Sequence, residues 1–180
     1  MEIQVVLNGN DSTSFPINMT EIEQVLQYCE LGIGTSYKPI EIDDFIYIRN
    51  TFPEIKENTT IELSLKKEEK ERHLEIKLVC VKVMNIGIAF NQKKGIDNEN
   101  WNTIFDCDQN NVVFSPDGVL YITPDASEIC TVKTKSPENS FLSYSILFSA
   151  EMKDHHQSKR KKEYYFIIDP LIKVSSGVGI

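Results

Sequence analysis

The chain has 180 residues, 41% hydrophobic and 26% charged, with a formal net charge of −8. Length and composition are those of an ordinary one-domain globular protein, which excludes a disordered chain; no apolar run approaches the roughly 20 residues of a spanning helix, which excludes a helical membrane protein. The acidic excess lies wholly in residues 1–64, with 11 acids against 3 bases, while residues 65–180 hold 16 of each; such a surface repels phosphate backbones and excludes general nucleic-acid binding.

The opening MEIQVVLNGND lacks the basic segment of a signal peptide, so a cytoplasmic location is expected. Glu2 to Leu7 alternates and is β-branched, and Asn8-Gly9-Asn10-Asp11 is a turn signal that closes a hairpin onto Phe15 and Ile17. Thr20 with Glu23 forms a capping box for a helix over residues 20–31, with Ile22, Val25, Leu26 and Cys29 on one face and Gly32 as its stop. Residues 40–48, IEIDDFIYI, read as a strand bent at Asp43-Asp44.

Thr60 to Leu65 alternates with Ile61, Leu63 and Leu65 inward, KKEEKER reads as a solvated hairpin end, and His73 to Met84 resumes with Leu74, Ile76, Leu78 and Cys80 inward. A hairpin over residues 60–84 is therefore expected. Ile86 to Phe90 extends the sheet, and the polar tract Asn91 to Asn102 reads as a surface loop carrying Trp101. Strands follow at Val112–Phe114, Val119–Thr123 after the Pro116-Asp117-Gly118 turn, Ile129–Thr134, Phe141–Met152 and Tyr164–Ile168. Many short strands with one helix predict an all-β fold, an antiparallel β-sandwich of jelly-roll-like type, as a single domain over residues 1–174 with a flexible tail at 175–180.

The ending YYFIIDPLIKV, from Tyr164 to Val174, places Asp169, Pro170, Ile172 and Val174 after an aromatic strand. It resembles the closing strand of the bacterial inclusion-body protein family of the PixA and AidA type, and the strand Ser143 to Met152 with the charged loop KDHHQSKRKK is similar to that family's final hairpin. The resemblance covers the C-terminal residues alone: the family's central glycine-rich, tryptophan-containing strand and a counterpart of the helix are not found. It implies a jelly-roll-like sandwich that accumulates or assembles in the cytoplasm, without enzyme activity, and identifies no ligand site.

The most specific local pattern is Asp106, Asp108, Asn110 and Asp117, at positions 1, 3, 5 and 12 of an EF-hand calcium loop, with Val113 at the apolar eighth position and Asn111 able to take the left-handed turn usually given to glycine. Asp in place of the bidentate Glu at the end, and a strand after it, favour a polar loop of Asx turns; weak calcium binding is the other reading. Cys29, Cys80, Cys107 and Cys130 form no C-x-x-C pair and read as buried thiols of a reducing compartment. Asn10, Asn18 and Asn58 begin Asn-x-Ser/Thr triplets that in a cytoplasmic chain read as turn residues.

His155-His156 beside Asp154 lies in the Lys- and Arg-rich segment Lys153 to Lys162, which repels a metal cation and reads as a solvated loop; it is also the sole basic cluster that an acidic partner would meet. His73 starts a strand, adjacent Asp43 and Asp44 point to opposite faces, and no G-x-S-x-G elbow occurs, so no catalytic residues are assigned. Gly32-Ile-Gly34 follows a helix instead of preceding one and does not form a phosphate cradle. Trp101, Tyr121, Tyr164 and Tyr165 read as core aromatics before they read as a stacking surface. The expectation is a non-enzymatic structural, self-assembling or partner-binding module, a homo-oligomer or a binder of another protein, without cofactor, nucleic acid or membrane. The alternative is a ligand-binding module, with calcium-assisted carbohydrate recognition through the Asp106–Asp117 loop and Trp101.

Overall fold

The computed structural model describes residues 1–26, 33–42, 56–71, 74–87, 101–116, 118–135, 141–154, 160–168 and 171–173. Strand β1 (Glu2–Leu7) turns into β2 (Asp11–Pro16) through Asn8 and Gly9, whose φ values of 51° and 70° fit the mirror-image turn that matches strand twist. Helix α1 (Met19–Leu26) follows. Its first intrahelical bond runs from Ile22 N–H to Asn18 O, and Asn18 Oδ1 accepts from Glu21 N–H at 3.3 Å. Asn18 is therefore the N-cap, two residues before the expected Thr20; Cys29 and the Gly32 stop lie outside the described residues.

The remaining strands are β3 (Ile40–Glu41), β4 (Thr60–Lys66), β5 (Glu75–Gly87), β6 (Val112–Phe114), β7 (Leu120–Ile122), β8 (Cys130–Lys133), β9 (Phe141–Lys153), β10 (Lys161–Ile168) and β11 (Leu171–Lys173), with a short helix α2 (Trp101–Ile104) before β6. They form a four-stranded sheet ordered β2-β1-β4-β8 and a seven-stranded sheet ordered β3-β10-β9-β5-β7-β6, in which β11 continues the β10 flank of β9. The two sheets pack as a β-sandwich, as the alternation predicts. The pairing is antiparallel except where β3 joins β10 in parallel, Phe166 opposite Ile40.

The expected hairpin over residues 60–84 is not formed. β4 lies in the small sheet between β1 and β8, whereas β5 lies in the large sheet between β9 and β7. β8 likewise crosses to β9, so two neighbouring strands of one sheet continue into two neighbours of the other, the jelly-roll-like feature of the fold. Alternation tells which side chains point inward, and it reads the same for two strands that pair as for two that face each other. The described part of the crossing holds a 3-10 turn, Glu69–Glu71, in the segment expected to be a solvated hairpin end. Glu71 is only 4% exposed and its carboxylate pairs with the α-amino group of the buried Met1. A buried carboxylate is costly without such a partner.

Within the sandwich, Ile3, Val5 and Leu63 of the small sheet join Ile76, Leu78, Val81, Val83, Ile146, Phe148 and Phe166 of the large one in a continuous buried cluster. Each such side chain contributes roughly 1.5–3 kcal/mol by leaving water. Phe148 and Phe166, both 0% exposed, stack across β9 and β10 with centroids 5.3 Å apart. A register shift between Leu78 and Cys80 moves the inward parity of β5 from 74, 76 and 78 to 81 and 83, a bulge that pure alternation does not reveal. Asp169, Pro170, Val174 and the expected tail at 175–180 lie outside the described residues; Ile172 is in β11 opposite Leu142.

Candidate functional site

The loop before β6 holds the calcium-spaced oxygens of the sequence. Asp106 N–H donates to Lys133 O at 2.7 Å, and its Oδ1 lies 3.8 Å from Lys135 Nζ. A cation at this carboxylate would meet that ammonium group first. Asp108 and Asn110 are exposed, and Asp117 lies outside the described residues. Asn111 does not take the left-handed conformation open to it, since among the described residues the positive-φ residues other than glycine are Asn8, Asn58 and Glu128. Its carboxamide instead donates to Thr123 O and, at 3.0 Å, to Thr131 O. Among the described residues no group of three or more His, Cys, Asp or Glu is placed to hold a metal ion.

Cys80, Cys107 and Cys130 are free, buried thiols. Burial pushes the Cys107 thiol up to about 11 and the Cys130 thiol up to about 12, so both are neutral and poor nucleophiles at physiological pH. Trp101, expected in a surface loop but as a core aromatic, is 0% exposed in α2; its Nε1 donates to Gly118 O at 3.0 Å and its ring stacks on Phe105. Tyr164 is buried beneath Lys162, whereas Tyr121 and Tyr165 are half-buried. Tyr165 Oη donates to Glu163 Oε2, and Ser149 Oγ donates to Glu163 Oε1 at 2.9 Å. His73, His155, His156, Asp43 and Asp44 lie outside the described residues.

What distinguishes one part of the surface from another is the treatment of the sheet edges. In an antiparallel pair alternate residues spend their N–H and C=O on the partner, and the residues between them aim theirs away. On β2, the bond from Ile17 N–H to Met1 O sets the parity, so Ser12, Ser14 and Pro16 face outward, and Pro16 has no N–H to offer. On β8, both outward carbonyls are taken: Thr131 O by Asn111 and Lys133 O by Asp106 N–H, with Phe105 bridged to Thr134 beside them. The calcium-spaced loop is thus the strap that closes this edge. On β10, Tyr165 N–H donates to Gly34 O and Ile167 O accepts from Ile42 N–H, so residues 34–42 cover the strand.

The β6 edge is treated differently. Ser115 N–H donates to Val119 O and Thr123 N–H to Asn111 O, which turns Asn111, Val113 and Ser115 toward β7 and Val112 and Phe114 outward. Val112 N–H is taken by Gln109 O. That leaves Val112 O and both backbone groups of Phe114 without a partner among the described residues, beside Val113 at 52% exposure. The sequence carried the signals for the closed edges, an outward Pro16 and an Asn before a Val-Val strand, but only the pairing parity gives them meaning. No described helix is long and apolar enough to cross a membrane. No family model, curated protein or solved structure matches this chain.

Proposed function

We propose that this chain is a non-enzymatic β-sandwich that works in the cytoplasm by association, extending one of its sheets into a second polypeptide, either another copy or another protein. The observation that carries this reading is the contrast among its edges: β8 is covered by the loop before β6 and β10 by residues 34–42, while β6 presents Val112 O and both backbone groups of Phe114 without a partner among the described residues, next to an exposed valine. Unpaired N–H and C=O groups in a row are a template for strand addition. The three buried free thiols fit a reducing compartment, and the resemblance of the C-terminal strand to inclusion-body proteins points to the same class of role.

Sedimentation velocity over a wide concentration range, together with co-purification from the native cytoplasm, tests the reading. Association with itself, or retention of a partner lost when the β6 edge is altered, is the expected result. A chain that is monomeric throughout and retains no partner contradicts it.

A further inference from the structure

We infer that the β6 edge pairs with the β6 edge of a second copy of this chain across a two-fold axis through Val113, joining two seven-stranded sheets into one. The inference rests on the reading of the chain as an association module and names its partner. Because Val112 and Phe114 carry the outward groups, a two-fold antiparallel pairing sets Val112 opposite Phe114 of the second copy. Each Phe114 N–H then donates to a Val112 O across the interface. Val113 falls on the axis as a non-hydrogen-bonded pair, where side chains approach most closely, and its exposed methyl groups lose water against their symmetry mates.

Charge is the argument for a second copy. The net charge of −8 lies wholly in residues 1–64, whereas Gln109-Asn110-Asn111-Val112-Val113-Phe114-Ser115-Pro116 falls in the balanced part of the chain and contains no ionisable side chain. Two such segments meet without opposed carboxylates. A strand of three residues gives a small interface, so the dimer is weak and depends on concentration.

The test uses substitutions at Val113, whose exposure lets them leave the monomer fold intact. Wild-type protein should sediment faster as concentration rises. Val113→Lys, which opposes two ammonium groups at the axis, should weaken self-association by about tenfold or more. Val113→Cys should form a disulfide-linked dimer under mild oxidation, since Cα atoms roughly 4.5 Å apart in such a pair fall in the range a disulfide spans. Ser12→Cys on the β2 edge should not. Self-association that survives Val113→Lys, with no Val113→Cys dimer or with equal cross-linking of Ser12→Cys, overturns the β6 pairing and leaves the wider reading standing. A wild-type chain that never self-associates also overturns the β6 pairing, and then retention of another protein decides the wider reading.

Discussion

The two ends of the large sheet solve one problem in opposite ways. At the β10 end the chain closes the edge with its own residues 34–42, and the closure is tight: Gly34, at φ 77°, sits where an added Cβ would lie 2.8 Å from Tyr164 Cδ1. At the β6 end a hairpin stops with Val113 exposed and the Phe114 amide aimed outward. Guarding an edge takes specific residues in specific places, and among the described residues none takes up the outward backbone groups of Phe114.

The largest effect is expected at the support of the open edge. Trp101 is fully buried and its indole N–H holds Gly118 O in the turn between β6 and β7. Trp101→Ala should cost about 3–5 kcal/mol in denaturant unfolding and remove self-association with it. A stable variant that still associates would show that β6 does not depend on α2.

Gly34→Ala attacks the closed edge. It forces a side chain into a left-handed conformation and against Tyr164 and Ile40, for a loss of about 1–3 kcal/mol. Uncovering β10 should also raise aggregation, seen by light scattering. Unchanged stability and scattering would mean that residues 34–42 do not guard β10.

Much of this was legible in the residues. The Asn-Gly turn, the β6–β7 and β9–β10 hairpins and the β-sandwich follow from alternation and turn chemistry, and Leu63 is inward where the pattern puts it. The pairing of β4 was not legible, because period-two hydrophobicity names a face and leaves the neighbour open. Nor was the burial of Glu71, which needs the Met1 amine brought beside the end of β4, where Glu2 lies opposite Lys66; the burial of Trp101 fits its reading as a core aromatic, whereas its four-residue helix is too short to show a period. The calcium-spaced oxygens were visible, but their use as an edge strap depends on β8, which follows them in the chain.

A smaller effect is common to both ends, since it concerns the core between the sheets. Cys107 and Cys130 have folded-state pKa values raised by burial, to about 11 and about 12, above the ordinary 9.0. Their neutral forms favour the fold fully below pH 9, and that contribution is lost as pH rises through the folded values, because the unfolded thiols release their protons first. Stability should therefore fall between pH 9 and 12 beyond what Cys107→Ala/Cys130→Ala shows, and native thiol labelling of these two should await unfolding. Rapid labelling of either in the native protein would contradict their burial.

The most direct measurement is amide hydrogen exchange at the two edges as protein concentration is raised. Tyr165 N–H, bonded to Gly34 O at 3.0 Å, should be protected at every concentration. Phe114 N–H should exchange freely in dilute solution and become protected as copies associate. Protection of Phe114 in the dilute monomer, or none at any concentration while the protein associates, would contradict an open β6 edge that pairs with its own kind.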